Sequence, residues 1–114
     1  MTYKKLKVWQ KRLNLEGWDI KLHLVRNSAL QPRTLGNIHW DHDYMTAGIS
    51  VQSAYDYKMP MQAMLDDMEF TVVHELVHLQ LSSLPRSEAS RSTEEHTVNE
   101  ISRALLNLAR NKAD

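Results

Sequence analysis

Apolar and polar positions alternate in two different rhythms along the chain. In YKKLKVWQKRLNL, residues 3 to 15, Leu6, Trp9 and Leu13 recur at helical spacing among lysines and an arginine. Residues three and four apart share a helix face, so this segment predicts an amphipathic helix with a basic, solvated outer side. Gly17 is its expected stop. From Trp18 the period falls to two: Trp18, Ile20, Leu22 and Leu24 alternate with Asp19, Lys21 and His23. That pattern predicts a half-buried strand with His23 on its outer face. NSALQPR reads as a loop. TLGNIHWDHD alternates again, with Ile38 and Trp40 on one side and Asn37, His39 and Asp41 on the other. A turn near His42 and Asp43 leads to a third strand over residues 44 to 52, where Met45, Ala47, Ile49 and Val51 are in phase.

After the irregular connector SAYDYKMPMQ the helical rhythm returns, from Gln62 to Leu81, through Met64, Leu65, Met68, Val72, Leu76 and Leu79. SSLPRSEASRST is a Ser-rich linker containing Pro85. The last helix is expected from about Thr93 to Arg110, its buried stripe running through Val98, Ile101, Leu105 and Leu108. Helix, three strands, helix, helix predicts one α+β domain over residues 1 to 114, with a three-stranded antiparallel sheet.

Composition narrows the function. Lys plus Arg and Asp plus Glu number 14 each, so no global basic field predicts a nucleic-acid partner. No window approaches the roughly 20 apolar residues that span a bilayer, so no membrane partner is expected. The N-terminal segment lacks the apolar run of a secretory signal. Cysteine is absent, which removes disulfides, thiolate ligands and a thiol nucleophile, and fits a reducing cytoplasm.

The chemistry concentrates in TVVHELVHLQ, residues 71 to 80. His74 and His78 stand four positions apart, so their imidazoles project from one helix face toward a single point. That spacing suits Zn2+ at about 2.0–2.1 Å from each nitrogen, with a third protein ligand and an open position for water. Glu75, beside the first histidine, is the expected general base, since zinc lowers the pKa of water toward about 7. The plainer reading is a core helix with satisfied histidines. Against it, Val72, Val73, Leu76, Val77 and Leu79 bury the surroundings, and unpartnered polar groups there are costly.

A third ligand must come from TEEHTVNE, residues 93 to 100. Glu94 and Glu95 both reach the edge of the buried side, and His96 is a rival. Glu95 is favoured because Asn99, four residues on, shares its face and can orient a zinc-ligating histidine. A competing role for Glu95 is a capping box with Ser92 at the helix start.

VVHELVHLQL, followed by EEHTVNEISRALL, resembles the small phage and prophage zinc metallopeptidases of the gluzincin type, related to the ImmA/IrrE-like peptidases. GWDIKLHLV and TAGISV are similar to that family's Trp-bearing first strand and Ala-rich later strand, so the resemblance runs from about Leu13 to Leu106. It implies a zincin-like fold with an active-site helix and a C-terminal ligand-bearing helix. It also implies His74, His78 and Glu95 as zinc ligands, Glu75 as general base, and a peptide or protein substrate. Glu100 gains no role from it.

Peptide hydrolysis also needs a donor for the oxyanion. Tyr55, Tyr57 and His96 are the candidates, and the third strand could pair with an extended substrate at its edge. A second polar cluster, His39, Asp41, His42 and Asp43, reads more simply as the outer face of a strand near its turn. The alternative function is a zinc-stabilised protein-binding module with four protein ligands and no catalysis. The sequence leaves the cleaved bond and the oligomeric state open.

Overall fold

A computed structural model describes the backbone of residues 2–30, 36–84 and 88–111. Its elements are helix α1 (Thr2–Arg12), strands β1 (Asp19–Val25), β2 (Gly36–Asp41) and β3 (Thr46–Gln52), and helices α2 (Met61–Leu81) and α3 (Glu88–Asn111). The fold class is α+β, as the periodicity predicts. Residues 31–33 of the expected first loop and Pro85 lie outside the described residues.

α1 ends earlier than Gly17. Asn14 takes φ of 58°, and the Asn14 and Leu15 amides bond back to the Lys11 and Gln10 carbonyls at 3.1 and 2.8 Å. This is a Schellman-type stop in which an asparagine takes the left-handed position usually given to glycine. The Gln10 side chain then donates to the carbonyls of Leu15 and Trp18, tying the turn to the start of β1.

The sheet is mixed, not antiparallel. Its order is β1-β3-β2, with β1 parallel to β3 and β2 antiparallel to β3. The β2–β3 hairpin turns at His42–Met45, where Met45 has φ of 53°. β1 then adds to the free side of β3, which gives β3 two neighbours. Alternation fixes which face of a strand is buried but not its direction or its neighbours. The expected edge role of the third strand is therefore wrong. Ile49 is fully buried on the central strand, so a proline there would break the fold rather than report on substrate.

α2 is the hub. It packs against α1, α3, β2 and β3, and most of its residues from Met68 to Leu79 are buried. Met68, Val72, Val73, Leu76, Val77 and Leu79 are buried along it, each worth about 1.5–3 kcal/mol of burial. Gly36 lets β2 close onto this helix: a Cβ there would meet Thr71 Cγ2 at 2.5 Å and the Ser50 carbonyl oxygen at 2.7 Å.

α3 starts at Glu88, so the Ser-rich stretch contributes its first turns instead of a linker. Ser92 is inside the helix and Glu95 is no residue of a capping box. The buried face also differs: Val98, Ser102 and Leu106 are buried, while Ile101 and Leu108 are exposed. A serine on the inner face hides the true stripe from a hydrophobic pattern. No described helix is long and apolar enough to cross a membrane.

Candidate metal centre

His74 and His78 meet edge to face along one side of α2 with ring centroids 4.8 Å apart. Both side chains are mostly buried, and their Nε2 atoms are 3.2 Å apart. α3 runs past this point and brings in Glu95. One carboxylate oxygen lies 2.8 Å from His74 Nε2 and the other 3.0 Å from His78 Nε2. One donor atom from each of the three residues falls within 4.8 Å of the others. Among the described residues these are the only His, Asp or Glu side chains grouped this way.

The spacing can be tested against a metal. Bonds of 2.0–2.1 Å in tetrahedral geometry place neighbouring donors about 3.3 Å apart. The two Nε2 atoms at 3.2 Å, and each histidine with its own Glu95 oxygen, fall within half an ångström of that, so the donor set fits a zinc-type ion once the Glu95 carboxylate turns one oxygen toward both imidazoles.

Glu94 completes the arrangement from the other side. Its Oε1 is 2.9 Å from His78 Nδ1. A carboxylate only accepts, so Nδ1–H is the donor to Glu94, and Nε2, which faces His74 and Glu95, is the nitrogen that would turn its lone pair to a metal. Glu94 therefore occupies the outer nitrogen and is not one of the converging donors. Sequence reasoning treated it only as a rival ligand. Adjacent residues on a helix point about 100° apart, which lets Glu94 and Glu95 embrace one imidazole on both nitrogens.

His74 is held differently. Its Nδ1 is buried with no hydrogen-bond partner among the described residues, and the Phe70 ring packs at 6.0 Å. Burial pushes its pKa down, Glu95 pulls it up, His78 pushes it down, and Asn99 adds a smaller upward pull. Asn99 is thus close enough to influence His74, the face relationship expected from its spacing. The net direction favours neutral imidazole, the form that ligates metal.

Glu75 is 5% exposed and accepts no hydrogen bond from the described residues. Burial raises its pKa to about 7; His78 opposes the rise and Glu95 adds to it.

The oxyanion candidates do not converge here. Tyr55 is 82% exposed with Arg26 stacked on its ring, and Tyr57 donates its hydroxyl to Asp67 at 2.8 Å. His96 is exposed on α3 and stands outside the donor group. The second polar cluster also disperses. His39 lies over Gly48, Asp41 caps the hairpin turn through the Asp43 and Tyr44 amides, and His23 is exposed on β1. His42 instead reaches α2. Ser82 gives its own proton to the Leu79 carbonyl at 2.6 Å, so His42 Nε2–H donates to Ser82 Oγ at 2.9 Å. Trp18 and Trp40 flank that imidazole edge-on.

Compared with known families, curated proteins and solved structures, the chain matches none.

Proposed function

We propose that this protein is a zinc-dependent metallopeptidase of minimal gluzincin type, similar to the ImmA/IrrE-like peptidases, acting on a peptide or protein substrate in the cytoplasm. The observation that carries the reading is the meeting of His74 Nε2, His78 Nε2 and the Glu95 carboxylate beside a buried, unpartnered Glu75. These three residues would hold the ion. Bound there, Zn2+ would supply Lewis-acid polarisation of a carbonyl and acidification of water.

The chain's own groups do the rest. Glu94 holds the His78 imidazole from its outer nitrogen, and Asn99 lies near His74. Phe70 packs against the His74 ring and Glu75 is buried beside it, which strengthens the charge interactions on the α2 side of the site. Glu75 takes a proton from the attacking water on its carboxylate and returns it to the departing amine. A proton carrier poised near neutral pH suits both transfers.

Position also favours catalysis over a structural metal. A structural site closes with four protein ligands. Glu94 is turned to the far side of His78, which would leave a fourth place on the ion for water. For an extended substrate, the open sheet edge packed beside α2 is β2. Hydrogen exchange on Glu75→Gln with a bound peptide should protect β2 amides and leave β1 unchanged; the reverse pattern removes this docking mode.

The deciding comparison is wild type against Glu75→Gln on a mixed peptide library, with zinc content measured in parallel. The proposal requires that the variant keep its zinc and lose hydrolysis. Equal cleavage by both, or none by zinc-loaded wild type, sinks it and leaves the zinc-stabilised binding module.

A further inference from the structure

On α2, toward its N-terminus from the histidines, a cleft of about 420 Å³ opens where three helices meet. It is lined by Lys5 and Arg12 of α1, Gln62, Asp66 and Glu69 of α2, and Arg110 of α3. Three cations thus face two carboxylates. Glu69 is buried and well supplied. It accepts the Trp9 indole N–H at 2.7 Å and has Lys5 Nζ and Arg110 Nη2 at 3.7 and 3.4 Å. Asp66 accepts from the Gln62 amide and lies 3.7 Å from Arg110.

Arg12 differs. Its guanidinium lies over the Trp9 ring at 4.7 Å and meets no carboxylate among the described residues. A guanidinium held against a ring, with N–H groups that meet no acceptor among the described residues, can take an oxyanion through two parallel hydrogen bonds. Two features add positive potential. α1 carries Lys4, Lys7 and Lys11 as well, and no acidic residue. α2 begins beside the cleft with no acidic residue in its first turn and no side-chain cap, so its positive dipole end is uncompensated. Lys5 lies 3.7 Å from Glu69 and Arg110 donates a long hydrogen bond to it, so both cations border the cleft.

We infer that this cleft binds an oxyanion, the phosphoryl or carboxylate head of a small organic molecule, gripped by Arg12 and flanked by Lys5 and Arg110. A water molecule takes about 30 Å³, so the cleft has room for an organic body behind the charged head. The site uses none of the histidines, and its test does not depend on the metal.

Titration of the full chain with inorganic phosphate, and separately with succinate, at constant ionic strength with chloride as control, reads the site directly. The Trp9 indole N–H, one of three in the chain, is the reporter in proton–nitrogen correlation spectra. Saturable movement of that signal with phosphate or succinate, and not with chloride, supports the inference; which of the two binds tighter identifies the head group. Arg12→Gln should weaken binding about tenfold or more, as should Arg12→Lys, which keeps the charge but loses the fork. Lys4→Gln, outside the cleft, should leave it unchanged. Movement that never saturates, that chloride reproduces, or that persists equally in both Arg12 variants overturns the site.

Discussion

Glu94 Oε1 sits 2.9 Å from His78 Nδ1, the ring nitrogen turned away from the converging donors. A half-buried carboxylate in that position holds Nδ1–H and would make the other nitrogen a better donor to a cation. Glu94→Ala should therefore weaken zinc affinity by about 10–100-fold while the fold, followed by circular dichroism, is kept. Competition against a fluorescent chelator measures it. Unchanged affinity would show that Glu94 serves only to pin α3 to α2.

The raised pKa of Glu75 links the site to stability. Burial lifts its carboxyl from the ordinary 4.5 to about 7. A group whose pKa is higher in the folded state stabilises that state fully below 4.5, and the contribution fades as pH rises through about 7. A rise of that size corresponds to roughly 3 kcal/mol. His74 acts in the opposite sense: its pKa is lowered, so its contribution is present above its ordinary range and is lost as pH falls through the folded value. Comparing chelator-treated wild type with Glu75→Gln isolates the glutamate. The variant's stability advantage in urea unfolding should grow between pH 5 and pH 8. A constant difference would mean that Glu75 is ionised without penalty.

Gly36 lets β2 approach α2 one helical turn before His74. Gly36→Ala drives a methyl into Thr71 Cγ2 and the Ser50 carbonyl, and should cost about 1–3 kcal/mol. Thr71→Ala in the same chain should recover only part of this, because the backbone oxygen cannot withdraw. An unchanged urea midpoint in the single variant would show that the two elements separate freely.

The site was more legible than the sheet around it. The four-residue spacing of His74 and His78 acts within one helix, and Asn99 marks the inward face of α3 four residues after Glu95. Both are local relationships that a periodic pattern records. The parallel pairing of β1 with β3 is a choice between neighbours, and alternation is blind to it. Ser102 misplaced the buried stripe of α3, because a polar residue at 0% exposure counts as outside in any hydrophobic reading. The Glu94–His78 pair depends on how two helices cross, and the Ser82–His42 bond on where a hairpin turn lands. Neither is written in one segment.

Ser82→Ala removes the acceptor that holds the hairpin turn against the end of α2. The loss should be about 0.5–1.5 kcal/mol of stability, with faster amide exchange at Asp43 and Tyr44. Exchange rates equal to wild type would show that Trp18 and Trp40 hold His42 without the serine.

Everything proposed for catalysis begins with an ion held between α2 and α3. Elemental analysis of protein carrying no histidine tag, purified without chelator and dialysed against metal-free buffer, examines this directly. The account predicts about one zinc per chain in the wild type and close to none in a His74→Ala, His78→Ala double variant that still folds. Folded wild-type protein that emerges empty and takes up no added zinc would contradict it.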